Sequence, residues 1–226
     1  MDSLGPYLLG PNDTPENGIY TGDARELAKA IPDESVDLIF TDPVYDRIDD
    51  YRWLAETGAR VLREDRACLV FQYPNLLSKT MRVMEASLIY QWQIIWYINN
   101  RTKYVYSPTG KSAYIPALIF SNGSKLYRPG FAFDIKATAF GGFLQNHKWS
   151  KSPEWIAYYI KALSKRDAYI LDPFTGSGTV PAVCKMLNRR YLAFEIDPDV
   201  AQMARDRVRH TQPPLPIEMP TQEVLL

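Results

Sequence analysis

Long hydrophobic runs are missing from this sequence, and with them any stretch able to cross a bilayer as a single helix. The N-terminus also lacks the basic, apolar and small-residue succession of a cleavable signal, so the expected compartment is the cytoplasm. Cysteine is scarce. Cys68 and Cys184 are the only two in 226 residues, each inside an apolar pattern and without metal-ligand spacing. That excludes a disulfide framework and a cysteine-built metal centre, and both read as small buried hydrophobes. There is no internal repeat and no net charge, with 26 basic and 26 acidic side chains. What is present is ordinary globular composition, in a chain long enough for one domain with a substantial core.

The balanced charge is unevenly distributed. Residues 1–66 carry 15 acidic and 7 basic side chains, whereas residues 99–165 carry 10 Lys and Arg against Asp134 and Glu154. A local basic excess interleaved with aromatics is the footprint of a polyanion partner, with a lysine-rich solvated surface as the bland alternative.

Periodicity predicts an alternation of strands and helices. Buried strands are expected at Ile19 to Gly22, Val36 to Phe40, Ala67 to Phe71, Gln93 to Ile98, Ala168 to Leu171 and Tyr191 to Glu195. Helical spacing runs from Asp23 to Ile31, Tyr51 to Leu62, Leu76 to Ala86, Pro153 to Leu163, Val180 to Leu187 and Val200 to Val208. The order implies an α/β fold, a doubly wound, mostly parallel sheet in a single domain over 1–226. Residues 99–150 break the alternation with loop-like composition around one candidate core strand, Ile115 to Phe120, and read as a small inserted region. The first dozen residues read as an arm. The stretch 212–226, with four prolines in nine residues from Gln212, reads as a flexible tail.

Two stretches carry chemistry. The first, Leu171 to Thr179 (LDPFTGSGT), reads as strand, tight glycine turn, then helix. Such a turn places backbone N–H groups and an acidic side chain at the carboxyl end of a strand, where ligands bind in open α/β sheets. Gly176 and Gly178 let the main chain approach a ligand without an intervening Cβ. The third glycine of a dinucleotide fingerprint and the lysine of a nucleotide-phosphate loop are both missing, which leaves a nucleoside-type ligand without phosphates. Glu195, at the end of the next strand, is placed to accept hydrogen bonds from ribose hydroxyls. A plain strand-to-helix turn is the structural alternative.

The second stretch is Thr41 to Tyr45 (TDPVY), at the end of a buried strand. The Asp42 carboxylate and the Pro43 carbonyl can each accept one hydrogen bond from an exocyclic amino group, and Tyr45 offers a ring for a planar base. Two acceptors aimed at one amino group draw its lone pair out of the ring π-system and make a poor nucleophile usable. Taken by itself, Asp-Pro simply ends a strand in many proteins.

Together, TDPVY early and LDPFTGSGT late resemble the beta group of amino-group DNA methyltransferases. Their order is permuted, with catalytic motif first, recognition insert next and cofactor motif last. Gly22-Asp23 before a helix, the lead-in PDESVDLIFTDP, and His147 to Pro153 (HKWSKSP) extend the likeness over 19–72 and 145–208. The resemblance implies a Rossmann-like fold, S-adenosyl-L-methionine as cofactor, DNA as partner, no metal and no membrane. It leaves the oligomeric state open, a homodimer included.

Carried across by position, it implies that Asp42, Pro43 and Tyr45 hold a flipped base. It places Asp172, Phe174, Gly176, Gly178 and Thr179 along the methionine side of the cofactor, helped by Lys151 and Ser152. Glu195 falls at the ribose and Asp23 at the adenine amino group. Arg101, Lys103, Lys111, Lys125 and Arg128 are candidate phosphate contacts, individually no different from surface charges. Two departures stand out. Val44 replaces the usual second proline, and the His147–Pro153 segment is one residue longer than the common spacing. Aspartate at 42 favours adenine N6 over cytosine N4 as the target, since cytosine-specific members more often carry serine there. A solitary enzyme of a bacterium, archaeon or phage is expected. The alternatives are a cytosine-N4 enzyme, a regulatory binding protein that has lost catalysis, and a methyltransferase for RNA or a protein amide.

Overall fold

The computed structural model describes residues 17–98, 105–107, 110–112, 114–130, 134–138 and 152–212. The expected N-terminal arm and almost all of the expected tail lie outside them. Ten strands are described: β1 (Gly18–Thr21), β2 (Val36–Thr41), β3 (Leu62–Phe71), β4 (Ile89–Ile98), β5 (Val105–Ser107), β6 (Gly110–Ser112), β7 (Tyr114–Ser121), β8 (Ile135–Thr138), β9 (Tyr169–Asp172) and β10 (Arg190–Glu195). The helices are α1 (Ala24–Leu27), α2 (Ile48–Val61), α3 (Leu77–Met84), α4 (Pro153–Leu163), α5 (Thr179–Met186) and α6 (Pro198–His210).

Eight strands form one sheet in the order β1-β10-β9-β2-β3-β7-β4-β8, and β5 and β6 pair separately. The ladders from β1 to β3 are parallel, while β7 runs antiparallel to both its neighbours. Apolar residues on both strand faces require cover on both sides. Ile39, Cys68, Val70, Leu171 and Phe194 pack under α1, α2 and α3, and Leu38, Phe40, Leu69, Phe71 and Ile170 pack under α4 and α5. On that second side α6 closes over β1 and β10 through Ala201, Ala204 and Val208. The helix starts follow capping chemistry. Asp23, Ser152 and Asp197 each accept a hydrogen bond from an N–H of the first turn, and proline opens α4 and α6.

Two differences from the periodic pattern have local causes. β3 begins at Leu62, five residues before the apolar run, because its pairing with β2 jumps between Val36 and Leu38. Asp65 takes up the irregularity at φ +60°, a conformation aspartate tolerates better than most residues, and its carbonyl accepts the Tyr127 N–H at 2.8 Å. The second difference is β7, which wedges between β3 and β4. The 99–150 stretch therefore contributes a central strand, so any inserted region is confined to the segments either side of it.

Candidate active site

A crevice opens in such a sheet where connections from neighbouring strands leave for opposite faces. Here that point lies between β2 and β9, followed by α2 on one face and α5 on the other. The two chemistry-bearing stretches meet there. Thr41 Oγ1 donates to Asp172 Oδ1 at 2.7 Å, across 131 positions of sequence. The same oxygen accepts the Phe174 N–H at 3.3 Å.

Asp172 is 3 % exposed. Burial pushes its carboxyl up to about 7, against the lowering influence of Thr41, Thr175 and the Phe174 N–H, and the Asp42 charge adds to the rise. The native state therefore holds this proton at pH values where an unfolded chain has released it. The associated stability is complete below the ordinary value of 3.8 and is lost as pH rises through about 7. Asp172→Asn, which cannot ionise, is expected to flatten that decline. Urea midpoints of both proteins at pH values spanning this window check it, and parallel profiles refute it.

Beyond β2 the chain places Asp42 half-buried, Pro43 buried and Val44 53 % exposed. The Tyr45 hydroxyl donates to the Asp42 carboxylate. Burial first, then that carboxylate, hold the hydroxyl protonated far above the usual phenol range. The Tyr45 ring meets Tyr73, with centroids 4.0 Å apart and planes tilted by 53°. Behind them the Tyr51 hydroxyl donates to the Phe71 carbonyl at 2.9 Å, tying α2 to the end of β3.

On the other side of the crevice, the turn after β9 is bound to the end of β10. The Gly176 N–H donates to Glu195 Oε2 at 3.0 Å, and the Thr175 N–H donates to the Phe194 carbonyl at 2.9 Å. Glu195 Oε1 accepts the Asp197 N–H at 3.0 Å. A carboxylate has about four acceptor sites, so acceptor capacity remains on Glu195. Asp23 lies beside it, just beyond the Gly22 N–H that donates to the Glu195 carbonyl. The Phe174 ring stands edge-on to Trp53 at 5.7 Å.

The two glycines of the turn differ. At Gly176, φ +51°, an added Cβ meets nothing within 4 Å, so the main chain borders open space. At Gly178, φ +77°, a Cβ would stand 2.7 Å from Ala204 Cβ and 2.8 Å from its Cα. Gly178 has a reason of its own to be glycine, because α6 packs against it at a left-handed φ. Thr179 opens α5, and its hydroxyl accepts from Arg207 at 2.5 Å. A crevice with open space at Gly176, a carboxylate with spare acceptors and an aromatic floor at Phe174 suits a nucleoside-type group.

Asp23, Asp42, Pro43, Tyr45, Ser152, Asp172, Phe174, Gly176, Gly178, Thr179 and Glu195 thus gather at the carboxyl edge of the sheet. Lys125 and Arg128 do not. The Lys125 N–H donates to Asp65 and the Tyr127 N–H to its carbonyl, which puts this segment at the opposite edge, about 15 Å away by strand rise. Lys111 is described only as backbone in β6, and Arg101, Lys103 and Lys151 lie outside the described residues. Sequence reasoning missed Gln72 and Tyr73, although Gln72 shows the same signal as Asp42: the first polar residue after a buried strand.

Comparison with known proteins bears on the family and the fold. The profile of a DNA methylase family matches residues 93–206. The type II methyltransferase M.XycI of Xanthomonas campestris pv. cyanopsidis is 27 % identical over 189 residues, covering 82 % of this chain and 59 % of that enzyme. The chain therefore spans somewhat more than half of that relative's length. Among solved structures, the cytosine-N4-specific PvuII DNA methyltransferase superposes with a TM-score of 0.74 at 17 % identity, covering 85 % of this chain and 86 % of that one. The M1.HpyAVI complex with SAM gives 0.72 at 22 %, covering 84 % and 98 %. At these identities the structural likeness is one of fold.

Proposed function

We propose, for a chain that belongs to the N6/N4 DNA methylase family, that it transfers a methyl group from S-adenosyl-L-methionine to the exocyclic amino group of adenine in DNA. The observation that carries this reading is the Thr41–Asp172 hydrogen bond, which sets Asp42 and the cofactor turn on adjoining strand ends. Gly176, Phe174 and Asp172 line the methionine side in this reading, Glu195 meets the ribose hydroxyls, and Asp23 the adenine amino group. The bound cofactor supplies an electrophilic methyl group.

The chain's own part is to make the amino group nucleophilic. Asp42 and Pro43 accept its two N–H bonds, which turns the lone pair toward the crevice. No strong base is needed, because the surplus proton is acidic once the nitrogen carries the methyl. The target nucleotide must leave the duplex, which costs a few kcal/mol, and stacking on an aromatic wall returns about 1–3 kcal/mol. Aspartate at 42 supports adenine, by contrast with the family members that act on cytosine, which more often carry serine at this place.

The test is transfer of labelled methyl to unmethylated genomic DNA, followed by digestion to nucleosides. Labelled N6-methyladenine is the expected product. N4-methylcytosine would keep the mechanism and overturn the base. No label on DNA despite cofactor binding would overturn the reading. Within it, Tyr45→Ala removes the wall and is expected to raise KM for DNA by about tenfold, whereas Tyr45→Phe, which keeps the ring, stays close to wild type in KM. Steady-state kinetics with varied DNA check this pair, and equal KM in Tyr45→Ala and wild type would refute the stacking role.

A further inference from the structure

We propose that Gln72 is a positioning residue for the base-binding turn, holding the main chain at Tyr45 so that Asp42 and Pro43 stay aimed at one amino group. The inference rests on the methyl-transfer reading above.

Gln72 follows β3 directly and is fully buried. Its Nε2 donates to the Tyr45 carbonyl at 3.1 Å and to Thr80 Oγ1 at 2.7 Å, and its Oε1 accepts the Tyr73 N–H at 2.7 Å. A carbonyl can only accept and an N–H can only donate, so the amide's orientation follows from its partners. One side chain thereby ties the turn after β2, the turn after β3 and helix α3. It also controls the main chain beneath both rings of the Tyr45–Tyr73 pair.

The need for such a tie arises at Val44. Proline fixes φ at 43, but Val44 has no ring, is 53 % exposed and belongs to none of the core clusters. Backbone bonding within the turn consists of the Arg47 N–H to the Val44 carbonyl at 3.1 Å and the Ile48 N–H to the Asp46 carbonyl at 3.2 Å. Neither fixes the Pro43 carbonyl. The Gln72 amide supplies restraint from outside the turn, one residue past Val44. Misplacing a positioned group by about 1 Å can cost on the order of a hundredfold in rate.

The variant Gln72→Leu keeps a comparable volume and removes all three bonds. In single-turnover methyl transfer it is expected to lower the rate by about ten- to hundredfold, with cofactor affinity held within about twofold. Thr80→Val, which frees the amide from one anchor only, is expected to lower the rate in the same direction by less. Val44→Pro placed in the Gln72→Leu background restores at least about fivefold of the loss, because the ring replaces the missing restraint. Proline costs no main-chain bond there, since Val44 N–H has no backbone acceptor among the described residues. A merely structural Gln72 predicts instead that rate and cofactor affinity fall together with the thermal midpoint, and that proline at 44 restores nothing. Either of those results overturns the proposal, as does a Gln72→Leu rate within about twofold of wild type. A wild type that transfers no methyl to DNA brings down the underlying reading, and is told apart by needing no variant at all.

Discussion

Asp42→Ala is expected to lower the rate of methyl transfer by on the order of a thousandfold, about 4 kcal/mol of barrier, while cofactor affinity changes little. The carboxylate sits at the end of β2, where Pro43 and the Thr41–Asp172 bond leave it little freedom to wander. Under the proposed mechanism, its removal deletes one of the two acceptors that draw the amino lone pair out of conjugation. It also deletes the partner of the Tyr45 hydroxyl. Asp42→Asn should be intermediate. The amide has one acceptor oxygen, which must choose between the Tyr45 hydroxyl and the target amino group, and its own NH2 repels the latter. Burial dominates the raised value at Asp172 and the Asp42 charge adds only the smallest part, so either variant should lower it slightly and leave it well above its ordinary range. Single-turnover transfer of labelled methyl, run beside equilibrium cofactor binding, measures the rate and the cofactor affinity. A variant within about tenfold of wild type would remove Asp42 from the chemistry.

How far the sequence allowed this site to be read depends on the kind of residue. Asp42 and Asp172 are legible one at a time, because each is an acidic residue closing a run of buried apolar ones. Their meeting is not legible from pattern. Strand order is a tertiary property, and only the likeness to a permuted methyltransferase family put the two motifs side by side. The same limit hid β7. Its run Ile115 to Phe120 reads as a core strand, yet nothing local says that it runs antiparallel between β3 and β4. Gln72 carries the strand-end signal as plainly as Asp42 does, but an uncharged amide suggests no chemistry until its partners are seen. Charge counting has a different limit. The basic excess over 99–165 is real as composition, but composition is blind to which edge of a sheet a side chain occupies. Lys125 and Arg128 fall at the amino end of β3, held by Asp65. Any DNA contact near the crevice must then come from other cations than these two.

The glycine pair gives the other large effect, and it separates fold from ligand. Gly178→Ala is expected to destabilise the protein by about 3 kcal/mol, from the left-handed backbone and from overpacking together. At φ +77° the new Cβ would press on Ala204 Cβ and Cα in α6, and a helix backbone has no rotamer by which to yield. For a chain of this size that is a fall in Tm of about 6–12 °C. Gly176→Ala should cost the fold far less. Its Cβ meets nothing within 4 Å, so the loss of stability is confined to the φ +51° cost, about 1 kcal/mol. The empty volume beside it is the one the proposed cofactor would fill, and the same substitution should weaken S-adenosyl-L-methionine binding by about tenfold or more. Thermal melts and cofactor titrations on both variants decide the matter. An unchanged Tm in Gly178→Ala would refute the packing argument. Unchanged affinity in Gly176→Ala would move the cofactor away from the turn after β9, and with it the account of why that turn adjoins Asp42.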